Sequence, residues 1–151
     1  MSRAPALHSL APMNIPTLRS PHEKTGGIVY IGRMLDKVRL HAAGELPQDY
    51  QANLGGGFDE RAVHFLWVEY PALTERVKRG GTDDEILEWC YQQGRKPSDE
   101  EIEIWNEFMR KRGWNDEATE RLEMRKRESN IPDRTDVQTL FDYIDIDEGR
   151  G

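Results

Sequence analysis

Apolar residues return every three or four positions after the pair Gly26-Gly27, which is the spacing of an amphipathic helix. Between residues 28 and 43 they share one arc of such a helix, and Gly44 stands where a C-terminal stop belongs. The members of this arc are Ile28, Ile31, Leu35, Val38 and Ala42. The pattern therefore predicts a first helix over residues 28–43, followed by an irregular segment that contains Pro47 and three consecutive glycines.

Residues typical of helix starts recur through the rest of the chain. The apolar run in "FDERAVHFLWVEYP" resembles a buried strand, but Asp59 as an N-cap favours a short helix, and Pro71 suits the first turn of another. The stretches "TDDEILEW" and "SDEEIEIW" each contain a capping box, begun by Thr82 and Ser98. The charged stretch "NDEATERLEMRKRESN" predicts a surface helix, and Asp136 is expected to cap a short last helix.

These elements predict an all-α protein, a compact single-domain bundle of about six or seven short helices. We expect an irregular N-terminal arm over 1–20, the helical domain over 21–147, and an acidic, frayed C-terminus over 148–151. The residues expected to form the core are Leu35, Val38, Phe65, Leu66, Trp89, Trp105, Phe108, Leu140 and Phe141.

Composition adds an expectation about the compartment. A chain of 151 residues with one cysteine, Cys90, forms no intrachain disulfide and is long enough to fold around its own core. No stretch approaches the ~20 apolar residues of a membrane span, and prolines interrupt the N-terminal segment, so a secretory leader is not expected. A flexible or partner-docked arm is favoured there over an organelle transit peptide, and a cytoplasmic location is the expectation.

The net charge of −7 is unevenly distributed. Residues 1–44 hold six Lys/Arg and two Asp/Glu, whereas residues 45–151 hold fifteen and twenty-six. An acidic body repels phosphate backbones, so nucleic-acid binding is not favoured unless the basic N-terminal part acts alone.

The stretch "GRMLDKVRLHAAG" brings five ionisable side chains to the polar face of the first helix. They are Arg33, Asp36, Lys37, Arg39 and His41. Asp36 lies three residues from both Arg33 and Arg39, and such pairs contribute only ~0.2–0.5 kcal/mol each, so a solvated or structurally paired face explains them. Leu40 does not fit, because it lies on the same polar face. If the arm or another helix covers this face, the charges instead form a polar pocket.

Other candidate groups have structural explanations beside functional ones. Asn106, inside "IWNEFM", suits either a buried hydrogen-bonding clasp or a binding group, so it joins the candidate binding residues. His64 is expected at the edge of the core, and Cys90 as a small core side chain. No local Cys/His spacing predicts a zinc site, and "LGGGFDE" lacks the Lys of a phosphate-binding loop. No cofactor or metal is predicted.

Six stretches together carry a resemblance to a known family. They are "LRSP" (18–21), "GG" (26–27), "RMLDKVRL" (33–40), "GFDERAV" (57–63), "TDDEILEW" (82–89) and "GRKPSDEEIEIWNEFM" (94–109). As a set they resemble a family of small bacterial proteins described only as a domain of unknown function, number five thousand and sixty-nine. The resemblance covers about residues 17–147 and implies a compact, mainly helical protein. It implies no activity, substrate or catalytic residue.

Two classes of function remain open. The leading hypothesis is a non-catalytic protein-binding module or accessory subunit, which joins another protein or a larger assembly through its basic arm and the charged face of the first helix. The alternative is a protein or enzyme that binds a small anionic molecule where the first helix meets the "GFDERAV" segment, with Arg33 and Lys37 holding the anion and Asp36 or His41 exchanging protons. No convincing nucleophile–base pair is visible, so a non-catalytic role is favoured.

Overall fold

A computed structural model describes residues 17–150, within which two very short strands precede eight helices. The strands β1 (Lys24–Thr25) and β2 (Ile28–Val29) pair antiparallel across Gly26 and Gly27, whose positive φ angles of 58° and 81° form the turn. The helices are α1 (Ile31–Ala42), α2 (Gln48–Gln51), α3 (Phe58–Leu66), α4 (Tyr70–Lys78), α5 (Asp83–Gln93), α6 (Asp99–Lys111), α7 (Thr119–Glu128) and α8 (Leu140–Asp147).

The prediction of an all-α single domain is confirmed as a mostly helical domain, although residues 17–150 form eight helices rather than six or seven and include the short β1–β2 hairpin. The first helix begins at Ile31 rather than at residue 28, because Ile28 and Val29 pair with β1 and Tyr30 has a left-handed φ of 77°. The single turn α2 lies in the segment predicted to be irregular. Residues 1–16 of the predicted arm lie outside the described residues.

Helix starts follow the predicted capping chemistry in α5 and α6 but not in α3 and α8. Thr82 and Ser98 each accept a hydrogen bond from the third helical amide, and the carboxylates of Glu85 and Glu101 accept one from the backbone amides of the two caps. The N-cap of α3 is Gly57, not Asp59, and that of α8 is Thr139, not Asp136. Asp59 does not cap the helix, because its carboxylate points into the protein interior, as described below.

The main core gathers side chains from the hairpin, α1 and α3–α6, with Phe141 contributed by α8. Of the predicted core residues, Phe65 and Trp89 are only partly buried and pack against it. The placement of Phe108 was wrong, because its ring is 40% exposed. On α6 the core-facing positions are Trp105 and Met109, and Phe108 lies beside them under the guanidinium groups of two arginines.

The helices of residues 17–150 are all too short and polar to cross a membrane. The longest, α6, has 13 residues, and a span requires about 20.

Candidate functional site

The polar face of α1 is covered rather than solvated. Arg33, Asp36 and Lys37 are only 5–7% exposed. Leu40, the residue that did not fit a solvated face, packs with Leu18 and Leu46 in a small separate cluster. The segment that begins at residue 17 therefore covers this face, and it encloses charges that a free helix would present to water.

One end of this face forms a network of ion pairs. The Arg19 guanidinium donates to Asp36 Oδ2 at 2.9 Å and to Asp83 Oδ2 at 2.7 Å, and Arg39 donates to Asp83 Oδ1 at 2.8 Å. The hydrogen bond to Asp36 is the main reason that the pKa of Arg19 is raised. Burial alone would raise the pKa of Asp83, but hydrogen bonds from Arg19 and Arg39 lower it. This network fastens residues 17–20 and α5 to α1.

At the other end, Lys37, Tyr30 and Asp59 form a buried triad. Lys37 Nζ lies 2.9 Å from Asp59 Oδ1 and 2.9 Å from the Tyr30 hydroxyl oxygen. The Tyr30 hydroxyl donates to the same Asp59 oxygen at 2.6 Å, and the other carboxylate oxygen accepts from the Gly55 amide at 3.1 Å. Burial lowers the pKa of Lys37, while burial and the Asp59 charge raise the pKa of Tyr30.

Arg33 forms a second buried pair, with Glu148. Its two terminal nitrogens donate to the two carboxylate oxygens at 2.9 and 2.7 Å, which is bidentate geometry. Glu148 also accepts from the Tyr50 hydroxyl at 2.8 Å and from Arg150 at 2.8 Å. Burial opposes ionisation of Glu148, but the Arg33 hydrogen bonds and charge lower its pKa. Glu148 is nearly fully buried, which the expectation of a frayed end at 148–151 did not anticipate.

These buried pairs lie at the base of a cavity of about 680 Å³. Tyr30, Arg33 and Lys37 form its floor, whereas Asp59 lies behind them and does not line it. The cavity opens between α1, α3, α7 and α8. Its apolar lining includes Phe58, Leu140 and Ile144, and its basic lining includes Arg61, His64, Arg112, Arg121 and Arg125.

The basic side chains that line the cavity differ in whether a carboxylate lies near them. The Arg112 guanidinium lies 3.5 Å from the Asp116 carboxylate and packs over the Phe108 ring. The Arg61 guanidinium packs over the same ring. Within residues 17–150, Arg121 and Arg125 have no carboxylate within ion-pair distance. They are one turn apart on α7, so both side chains project from the same side of that helix. Four carboxylates, on Asp49, Glu60, Asp147 and Glu148, also line the cavity, and Glu148 is already paired with Arg33.

The sequence-predicted site residues are thus divided among different places. Arg33 and Lys37 lie on the cavity floor, whereas Asp36 and Arg39 belong to the Arg19 network and His41 is exposed. Asn106 fastens the hairpin to α6: its side chain accepts from the Val29 amide at 3.0 Å and donates to the Gly27 carbonyl at 2.9 Å. His64 is exposed at the cavity wall rather than at the core edge.

The site also contains residues that are not among the sequence-predicted site residues. They are Tyr30, Asp59, Glu148 and the two arginines of α7. The sequence predicts a helix cap for Asp59 and a surface helix for the charged residues of α7. The signal that pointed to the site was Leu40, because an apolar residue among charges indicated that something covers the face. No group of three or more His, Cys, Asp or Glu side chains among residues 17–150 is arranged to hold a metal ion.

The fold and site define a small helical domain with a charged cavity closed at its base by α1. A family model described as "Domain of unknown function (DUF5069)" matches residues 15–150. The chain belongs to this family, and the resemblance seen in the sequence is confirmed. No curated protein shows significant similarity to the chain.

Proposed function

We propose that the protein binds a small anionic molecule in the cavity between α1, α3, α7 and α8. The observation that carries this proposal is the pair Arg121 and Arg125, which line the cavity without an ion-pair partner among residues 17–150. A guanidinium forms strong, directional hydrogen bonds to carboxylate and phosphate groups. In a chain of net charge −7, two arginines that line a cavity and have no carboxylate partner in the described part of the chain form a local site for an anion.

The dimensions and lining of the cavity support a small organic ligand. Its volume of about 680 Å³ lies within the range of small-molecule sites, which are lined by apolar groups and a few placed polar ones. Phe58, Leu140 and Ile144 suit the carbon skeleton of a ligand, while Arg121 and Arg125 suit its charged end. Lys37 lines the same cavity as these two arginines.

The proposal favours the alternative of the two sequence-based hypotheses. The protein-binding hypothesis depends on a basic arm whose first sixteen residues lie outside the described part of the chain, so it stays a prediction. The anion-binding hypothesis keeps Arg33 and Lys37 and replaces Asp36 and His41 with the arginines of α7. The enzymatic form of that hypothesis depends on what the floor residues do to a bound ligand.

Calorimetric titration of the full-length protein tests the proposal. The probes are succinate, 2-oxoglutarate, inorganic phosphate and phenyl phosphate, so that carboxylates are distinguished from phosphates. At least one should bind, and the affinity should fall as salt is added, because exposed charges are screened. Replacing both arginines, Arg121→Gln/Arg125→Gln, should weaken binding by about tenfold or more, since a hydrogen bond to a charged group contributes about 1.5–3 kcal/mol.

The matched control is Arg127→Gln. Arg127 is exposed on the same helix and does not line the cavity, so its replacement changes net charge without changing the site. Equal weakening by Arg127→Gln and by the cavity variants would reduce the effect to general electrostatics and overturn the proposal. Absence of binding by all four probes would overturn it as well.

A further inference from the structure

Lys37 has a different environment on each of its two sides. Behind it, Asp59 is fully buried and accepts hydrogen bonds from Lys37, Tyr30 and the Gly55 amide. In front of it is the cavity, which Lys37 and Tyr30 line and Asp59 does not. A base is therefore in contact with the lysine on the side away from any ligand.

Stability is a weak explanation for this arrangement. Burying an ammonium and a carboxylate removes both from water, and a well-packed apolar pair of similar volume is often equally or more stable. Lys126 is buried as deeply, at 4% exposed, but it donates to the Val137 carbonyl at 3.2 Å and does not line the cavity. Lys37 thus combines a buried amine, an adjacent carboxylate and hydroxyl, and access to a ligand-sized space.

These groups match what an amine nucleophile requires. A lysine attacks a carbonyl carbon only as the neutral amine, and burial favours that form. Asp59, 2.9 Å from Nζ, is positioned to accept the proton that the ammonium must lose. The Tyr30 hydroxyl, in contact with both groups, is positioned to carry a proton towards the cavity.

We propose that Lys37 forms an imine with the carbonyl carbon of a small anionic aldehyde or ketone bound in the cavity. This inference rests on the proposed anion-binding function and specifies its ligand class. Asp59 first accepts one proton from the ammonium, and the amine then forms a C–N bond while the carbonyl oxygen takes up a proton through Tyr30.

Asp59 then accepts a second proton from the carbinolamine nitrogen, and the hydroxyl group takes up that proton through Tyr30 and leaves as water while the nitrogen lone pair forms the C=N bond. The net change converts an ammonium and a carbonyl into a protonated imine and one water molecule. No electron is transferred to or from the ligand, so the step requires no oxidant or reductant.

Reductive trapping tests the inference on the full-length wild-type protein. Glyoxylate, an anionic aldehyde, is added with sodium cyanoborohydride, which reduces an imine to a stable amine, and modified lysines are located by peptide mass mapping. The chain has six lysines, at positions 24, 37, 78, 96, 111 and 126. Lys37 should be modified at least about tenfold faster than Lys126, because only Lys37 lines the cavity that would hold the aldehyde next to the amine.

Internal controls make the result decisive. Lys126 controls for burial and Lys78, which is half exposed, for solvent access. Modification of Lys37 no faster than that of Lys126 overturns the inference. Lys37→Arg keeps a cation beside Asp59 but has no amine of comparable nucleophilicity, so it should retain native circular dichroism while the fast-forming adduct is lost from the protein. If the label survives in Lys37→Arg, the adduct is elsewhere and the inference is overturned.

A neutral aldehyde separates this inference from the proposed function. Preference for glyoxylate over propanal at Lys37, lost in Arg121→Gln/Arg125→Gln, supports both proposals. Equal labelling of Lys37 by the two aldehydes in every variant supports the reactive amine but overturns the anion site. Calorimetric binding of anions without labelling of Lys37 overturns the imine inference and leaves the anion site standing.

Discussion

The molecule buries two lysines in two different ways. Lys126 Nζ donates to the Val137 carbonyl and lies 3.6 Å from Glu123, whose side chain is 46% exposed, so water reaches its counter-ion. Lys37 instead faces a carboxylate that water does not reach, and its other side faces a cavity. Burial alone therefore does not describe the environment of a lysine. These two lysines differ in the exposure of the counter-ion and in whether the side chain lines a cavity.

The largest expected effect comes from removing the buried counter-ion of Lys37. Asp59→Asn should lower the free energy of unfolding by about 3–5 kcal/mol, because it leaves an ammonium buried without a carboxylate. Urea unfolding followed by circular dichroism measures this change. A loss below about 1 kcal/mol would mean that Lys37 is compensated from elsewhere, and the contrast with Lys126 would fail.

The double variant Lys37→Met/Asp59→Asn controls this prediction. It removes both charges and should recover at least half of the stability that Asp59→Asn loses, since two neutral groups no longer carry an uncompensated charge. A double variant as unstable as Asp59→Asn would instead attribute the loss to packing around Asp59.

The second largest effect is expected in the pH dependence of stability, through the buried Glu148–Arg33 pair. The folded-state pKa of Glu148 lies below its ordinary 4.5, so the unfolded chain binds the proton more readily in that window. The stabilisation from the Glu148–Arg33 pair is therefore complete above pH 4.5 and is lost as pH falls through the folded pKa. Glu148→Gln should lower neutral-pH stability by about 1.5–3 kcal/mol and flatten the acid dependence.

Urea midpoints between neutral and acidic pH measure the effect of Glu148→Gln. The control is Glu120→Gln, on an exposed side chain of the α7 region that contains Lys126. An unchanged acid profile in Glu148→Gln would show that this buried pair does not contribute to the pH dependence.

A smaller effect is expected on the structural lysine. Lys126→Met keeps most of the apolar stem and removes one hydrogen bond to the Val137 carbonyl, so stability should fall by about 1 kcal/mol. Thermal unfolding measures the loss, and calorimetry should find anion affinity unchanged. Altered anion binding in Lys126→Met would contradict the separation of the two lysines.

The smallest effect is expected at the partly exposed counter-ion of Lys126. Glu123→Gln should change the free energy of unfolding by less than about 0.5 kcal/mol, because solvent screens this pair and the carbonyl contact remains. The same urea assay applies. A loss approaching that of Asp59→Asn would make the two lysines equivalent.

The parts of the fold that were predictable depend on residues close in sequence. The caps of α5 and α6 connect residues three apart, so the pattern of Thr82 and Ser98 identified both helix starts. Local patterns misassigned Asp59, because a carboxylate near a helix start suits capping equally well. Its actual partners, Tyr30 and Lys37, lie across the intervening loop.

The site was less predictable than the fold because its contacts span long stretches of chain. Arg33 and Glu148 are 115 residues apart, and nothing in the acidic C-terminal sequence indicated a buried bidentate pair. Periodicity placed Arg33 and Lys37 on one helix face, and Leu40 suggested that this face is covered. Which segments cover it, and the cavity that they leave, follow only from tertiary packing.

Near the Glu148 pair, the Arg150 guanidinium donates to the Leu18 carbonyl, so the two ends of the described chain meet. This adjacency makes the domain suitable for circular permutation. A short linker from residue 150 to residue 17, with new termini at the exposed Asn115 between α6 and α7, keeps both members of the Arg33–Glu148 and Lys37–Asp59 pairs in the chain. In such a chain α7 and α8 are synthesised before α1, so the order of the helices along the chain is separable from their arrangement in space.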